Sequence, residues 1–234
     1  MTTITEFPPQ IIEYPESDGL PMAESDQTRD YLVYSTKVLS LFFKSQPDVY
    51  VSGNLFIYYE QGNPETVVAP DVFVVFGVEN CPRRVYKVWE EGDRTPNFVL
   101  EITSKTTRSR DQGAKRGIYA FLGVEEYYQY DPTGDYLTPN LQGLQLVNGN
   151  YLPVNPTTLP DGTIVLSSKV LKLELHLQEK VMRFYNPTTQ QYLMTHEEEV
   201  TARQTAEERA QTAEERAQKL AAKLRELNID PDAL

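Results

Sequence analysis

Apolar and polar positions follow a helical period near both ends of this chain and a strand-like period between them. From Glu24 to Gln46, Leu32, Ser35/Thr36, Leu39 and Phe43 recur at helical spacing, with Ser25 or Asp26 able to cap the start and Pro47 ending the run. VYVSGN (49–54) and LFIYYE (55–60) predict short strands, and QGNPET (61–66) a turn into the apolar run APDVFVVFGV (69–78). Asn80 to Asn97 predicts a long connection containing a turn of helix. FVLEI (98–102) then predicts a buried strand, SKTTRSRD a polar loop, and Asp111 to Leu122 a second helix ended by Gly123. EEYYQYDP (125–132) predicts a further strand stopped by Pro132. This order implies an α/β core with a mixed sheet, in which EYYQY lies beside FVLEI after a helical crossover. Beyond Pro132, segments of period-two alternation predict antiparallel hairpins that extend or cover the sheet.

The two ends have another character. Residues 1–23 are rich in proline and acid and predict an irregular arm, packed on the domain or mobile. Residues 24–195 form the expected globular domain. Residues 196–234 predict one long helix carrying the same heptapeptide twice, TAEERAQ at 205–211 and 212–218. Its Ala206, Ala210, Ala213, Ala217, Leu220, Leu224 and Leu227 are spaced as a heptad seam. A homo-oligomerisation arm, forming a dimer, is the preferred expectation. The alternatives are a helix that packs back on the domain and one that extends alone.

Charge changes this picture only by its location. The net charge of −12 argues against a polyanionic partner, but residues 1–30 hold seven acids and one base, and residues 196–234 hold ten acids and six bases. The central domain is close to neutral, and after Glu101 it turns basic through Lys105, Arg108, Arg110, Lys115 and Arg116. A local cationic footprint of this kind keeps nucleic acid open as a partner. The single cysteine, Cys81, excludes an intrachain disulfide framework, and with only His176 and His196 no Cys/His zinc site can be assembled. No stretch approaches the roughly 18 apolar residues of a membrane span. A soluble, cytoplasmic protein without a membrane partner is therefore expected.

The candidate chemistry lies in two acids that ordinary buried strands would not carry, Asp71 near the start of one apolar run and Glu101 at the end of another. A hard divalent cation such as Mg²⁺ (or Mn²⁺) takes oxygen ligands, typically one or two carboxylates with the remaining positions left to water and substrate phosphate. A nearby lysine can orient the attacking water and offset charge developing on the phosphate. On the second helix Asp111, Lys115, Tyr119 and Leu122 share a face, so Lys115 arrives at the acids if that face looks toward the end of FVLEI.

Pro70-Asp71 followed, 30 residues on, by Glu101 at a strand end resembles the PD-(D/E)XK restriction-endonuclease-like superfamily. The longer pattern Glu101, Ser104, Asp111, Lys115, Tyr119, Gly123, Glu126-Tyr127 and Asp131-Pro132 is similar to the Uma-type restriction endonuclease family, over roughly residues 20–185. The resemblance implies an endonuclease-like core with Asp71 and Glu101 as metal ligands. The superfamily's lysine usually stands two positions beyond the acid, where this chain has Thr103; the Uma-type pattern places it on the following helix, which maps to Lys115, with Lys105 the substitute.

Each residue also has a plainer role open to it. Asp71 could begin a strand, Glu101 could pair with Arg108 or Arg110, Lys115 could pair with Asp111, and Asp111 could cap its helix. Tyr119 could pack or hydrogen-bond behind the site, Ser104 and Lys105 could contact phosphate or solvent, and Glu60 could be a third carboxylate or an ordinary strand-end acid. The leading expectation is a Mg²⁺-dependent endonuclease hydrolysing the phosphodiester bonds of DNA, with RNA not excluded. A nuclease-like module that binds nucleic acid or protein without cutting, and a coiled-coil assembly scaffold, are the alternatives.

Overall fold

A computed structural model of the chain describes residues 12–17, 25–103 and 111–226, and divides the chain into two compact units, Met1–Leu193 and Met194–Leu234. The first unit begins its regular structure with helix α1 (Asp26–Phe42), where the Ser25 hydroxyl accepts the Thr28 N–H and caps the first turn. Strands β1 (Val49–Ser52), β2 (Ile57–Tyr58), β3 (Val67–Val68), β4 (Val72–Phe76) and β5 (Tyr86–Lys87) follow, and then a 3₁₀ turn at Val88–Glu90. Strand β6 (Phe98–Ile102) is the FVLEI segment. After it come a π-helical turn (Asp111–Lys115) that runs into α2 (Arg116–Phe121), and β7 (Glu126–Tyr130). The rest of the unit is β8 (Leu141–Val147), β9 (Asn150–Pro153), β10 (Thr157–Thr158), β11 (Ile164–Ser168), β12 (Leu173–Gln178), β13 (Val181–Asn186) and β14 (Gln191–Tyr192).

Six strands form the main sheet in the order β1-β4-β6-β7-β8-β9. All neighbours are antiparallel except β6 and β7, which run parallel with Glu101 opposite Gln129. The α2 crossover between them is the connection a parallel pair requires. Both strands are buried along their whole length, which explains why FVLEI and EYYQY read as continuous runs rather than alternating ones. The sheet is therefore mixed and the fold is α/β. A hairpin at Asn148-Gly149, both residues with positive φ, returns β8 into β9, and β10 to β14 form a separate antiparallel sheet. Strands β2, β3 and β5 make a third, small sheet.

Side-chain alternation divides the core in two. On one face of the main sheet Val72, Val74, Leu100, Tyr128 and Tyr130 pack with α1 and with Leu166, Leu173, Leu175 and Phe184 of the second sheet. On the other face Phe73, Val75, Val99 and Tyr127 pack with Tyr119 of α2 and Tyr86 of β5. Asp71, Glu101 and Gln129 share the parity of this second face, so α2 and the acids lie on one side.

The structure shortens the strands expected at 49–54 and 55–60 to β1 and β2, because Asn54 takes a left-handed conformation and turns the chain between them. The helix expected over Asp111–Leu122 opens on the π-turn, and its α-helical part begins only at Arg116. In the arm, residues 12–17 pack on the domain: Tyr58 donates its hydroxyl to the Pro15 carbonyl at 2.6 Å, and the Tyr14 ring meets Tyr58 and Trp89.

The second unit contains α3 (His196–Glu226). Thr195 and Glu198 close a reciprocal capping box at its start, the Thr195 N–H donating to the Glu198 carboxylate and the Glu198 N–H to the Thr195 hydroxyl. Ala206, Ala210, Ala213, Ala217 and Leu220 are all exposed. Among the described residues no helix is long and apolar enough to cross a membrane.

Candidate active site

Asp71 enters the site because the chain arrives at β4 one residue early. Pro70 and Asp71 stand just before the strand, the Pro70 carbonyl accepts the Asn54 N–H at 2.9 Å, and the antiparallel ladder ends on Val72 against Leu100, so Asp71 and Glu101 occupy the next register position. Gly53 permits this approach: a Cβ there would stand 2.2 Å from the Asp71 carbonyl oxygen. The Asp71 side chain is fixed in turn, because its Oδ2 accepts the Ile102 N–H at 2.7 Å.

Glu101 is wholly buried, and both of its carboxylate oxygens are engaged. Lys115 Nζ donates to Oε2 at 2.8 Å, and the Tyr119 hydroxyl donates to Oε1 at 2.5 Å. The π-turn ends on Lys115 and the first turn of α2 carries Tyr119, so the two donors are four residues apart across the junction and both reach one acid. Burial raises the Glu101 carboxyl to about 7. Lys115 opposes that rise by charge and hydrogen bond, while the neighbouring charge of Asp71 adds to it. Burial, and after it the charge of Glu101, holds the Tyr119 phenol well above its ordinary range, so Tyr119 serves as a donor rather than a phenolate.

The structure thus brings Asp71, Glu101, Lys115 and Tyr119 together. Asp111 opens the π-turn, and its side chain lies outside the described residues; Ser104 and Lys105 lie outside them altogether. Glu60 is exposed and accepts the Asn63 side-chain amide, apart from the other acids. Among the described residues no group of three or more His, Cys, Asp and Glu gathers as a ligand set. Asp131, part of the motif Asp131-Pro132, is instead a loop staple: its two oxygens accept the N–H groups of Thr133, Gly134, Tyr136 and Leu137 and the Thr133 hydroxyl.

Over residues 6–180 the chain matches the Uma2 family, described as "Putative restriction endonuclease". The chain belongs to this family. The Uma2 assignment fits the mixed α/β domain and the four residues that converge on its sheet. Among solved structures the chain is similar to "a putative nuclease belonging to DUF820" from Anabaena variabilis ATCC 29413, at 12% identity and a TM-score of 0.44, over 60% of this chain and 75% of that one. No curated protein matches the chain.

Sequence reasoning missed Gly53 and Gln129. Gly53 fell within the strand expected at 49–54, and its role is a close approach in space. Gln129 was hidden among tyrosines, although the two-residue period of a strand puts it on the face of Tyr127.

Proposed function

We propose that this Uma2 protein is a metal-dependent endonuclease that hydrolyses phosphodiester bonds of DNA at the Asp71–Glu101–Lys115 site. The observation that carries the reading is the buried Lys115–Glu101 ion pair, set in the sheet row that also holds Asp71. Two carboxylates with no third His, Cys or acid gathered about them among the described residues suit Mg²⁺ or Mn²⁺, which keep several positions for water and phosphate oxygens. Asp71 and Glu101 would hold that ion. When bound, it supplies a Lewis acid for the phosphoryl oxygen and lowers the pKa of water.

The chain's own groups do the rest. Asp71 is oriented by the Ile102 N–H, so its carboxylate enters the reaction preset. Tyr119 holds one Glu101 oxygen and keeps the carboxylate from turning. Lys115 balances the buried charge of Glu101 in the resting protein, and in the reaction its ammonium orients the attacking water and stabilises the negative charge growing on the phosphate. Thr103 stands where the superfamily's lysine is usual, so Lys115 alone supplies an amine from the described residues.

Plasmid DNA incubated with Mg²⁺ or Mn²⁺ tests the reading. Wild type is expected to nick or linearise the plasmid, Asp71→Ala to leave it intact, and Lys115→Met to slow cleavage about 10²-fold or more. Equal persistence of the plasmid with wild type and Asp71→Ala across several divalent metals rejects catalysis. One observation favours binding without cutting: both Glu101 oxygens are already occupied by donors of the chain itself. DNA retention by Asp71→Ala with no cleavage by wild type is its signature.

We further propose that α3 pairs with a second copy through its alanine-to-leucine seam, giving a dimer. The exposure of Ala206, Ala210, Ala213, Ala217 and Leu220 supports this. Sedimentation before and after removal of residues 194–234 tests it, and an unchanged mass rejects it.

A further inference from the structure

We propose that Gln129 and Thr103 form the substrate-phosphate end of the site, donating hydrogen bonds to a non-bridging oxygen of the nucleic-acid backbone. The inference rests on the nuclease reading above and adds to it the groups that would hold the substrate rather than the metal.

Both residues stand beside Glu101 on the same side of the sheet. Gln129 is its register partner on β7, and Thr103 lies two positions beyond it, with its N–H on the Tyr130 carbonyl, so that the parallel ladder continues past the end of β6. Strand alternation gives Asp71, Glu101, Gln129 and Thr103 a common face. Gln129 is only 5% exposed and Thr103 only 1%. Even so, Gln129 Nε2 and Thr103 Oγ1 have no hydrogen-bond partner among the described residues. Buried donors are paired in nearly all folded proteins, so two orphans at one end of one site call for a cause.

Inventory identifies the missing partner. An amide nitrogen carries two N–H groups and cannot accept, so Gln129 Nε2 requires an acceptor. The acidic acceptors on this face have donors of their own: Glu101 holds Lys115 and Tyr119, Asp71 takes the Ile102 N–H, and Asp131 takes five bonds from its own loop. What remains wanted is an acceptor that the described residues do not supply. A phosphodiester oxygen accepts only and is anionic, which suits two neutral donors beside Glu101, the residue that holds the Lys115 ammonium.

The test uses the full chain and three near-isosteric variants, Gln129→Leu, Gln129→Glu and Thr103→Val. Their affinity for a fluorescent DNA duplex in EDTA, their KM and kcat with Mn²⁺, and their melting temperatures are compared with wild type. A subsite makes Gln129→Leu lose about tenfold in duplex affinity and in KM, the worth of one hydrogen bond to a charged group, with its melting temperature equal or higher. Gln129→Glu should lose more, because a carboxylate repels the phosphate, and Thr103→Val less. Should Gln129→Leu or Glu misfold, Thr103→Val carries the test alone, since it keeps the side-chain shape and removes only the hydroxyl.

If wild type cuts, Asp71→Asn does not, and the Gln129 and Thr103 variants keep wild-type KM and affinity, the subsite is refuted while the nuclease stands. The same result with raised melting temperatures points to a trapped water as the former partner. If wild type neither binds nor cuts duplex DNA, both proposals fall.

Discussion

Two pairs of buried acids lie in the same sheet, and Glu101 is satisfied by other means than Glu126 and Asp131. Glu126 and Asp131, at the two ends of β7, are met by neutral donors. Ser168 Oγ donates to Glu126 at 2.5 Å with the Lys169 N–H beside it, and five backbone and hydroxyl groups surround Asp131. Glu101 is met instead by an ammonium as well as a phenol, and Asp71 beside it accepts the Ile102 N–H. The neutral donors on Glu126 and Asp131 tie loops and strand junctions, whereas the lysine on Glu101 sets a charge at the proposed metal site. Burial alone therefore does not separate these acids, whereas a charged donor sets Glu101 apart from Glu126 and Asp131.

The sharpest way to break this comparison is to neutralise one acid of each pair. Asp71→Asn should cut DNA cleavage about 10³-fold, the several kcal/mol a lost metal ligand is worth, with little change in urea midpoint. Asp131→Ala should do the reverse, costing about 3–5 kcal/mol in urea unfolding as its loop donors lose their acceptor, while folded molecules keep their activity. Loss of activity in folded Asp131→Ala, or unfolding of Asp71→Asn, would erase the distinction.

Acid linkage should then separate the pairs by sign. Glu101 is raised from its ordinary 4.5 to about 7, mainly by burial, so the stability it contributes is full below about 4.5 and is lost as pH rises through about 7. For Asp131 burial alone would raise the carboxyl, but the N–H groups of Tyr136 and Leu137 and its other donors hold it below 3.8, so its stability is present above that value and is lost as pH falls. Urea titrations of wild type against Glu101→Gln and Asp131→Asn, without metal, should show differences that move in opposite directions with pH. Parallel curves would contradict the assignment. The smallest effect is expected from Tyr119→Phe, which removes one donor from Glu101 and should cost about 1 kcal/mol of stability, read as a lower melting temperature.

Much of this architecture was written in local pattern. The helix capped by Ser25, the β6–α2–β7 crossover and the hairpin at Asn148-Gly149 follow from spacing, capping and turn chemistry that act over a few residues. Asp71 and Glu101 stood out because an acid interrupts an apolar run only at a cost. The π-turn at Asp111–Lys115 was not legible, since no local preference separates it from an α-helix. The close approach of Gly53 to Asp71 and the orphan amide of Gln129 were hidden for a related reason: each is defined by a neighbour on another strand. The separate sheet β10 to β14 was foreseen only as hairpins, because alternation predicts strands without naming the face they cover.

The most direct measurement is anomalous diffraction from crystals soaked in Mn²⁺. The account predicts a peak within coordination distance of the carboxylates of both Asp71 and Glu101, absent in Asp71→Asn crystals. Manganese bound elsewhere in the molecule, with no density between those two acids, would contradict it.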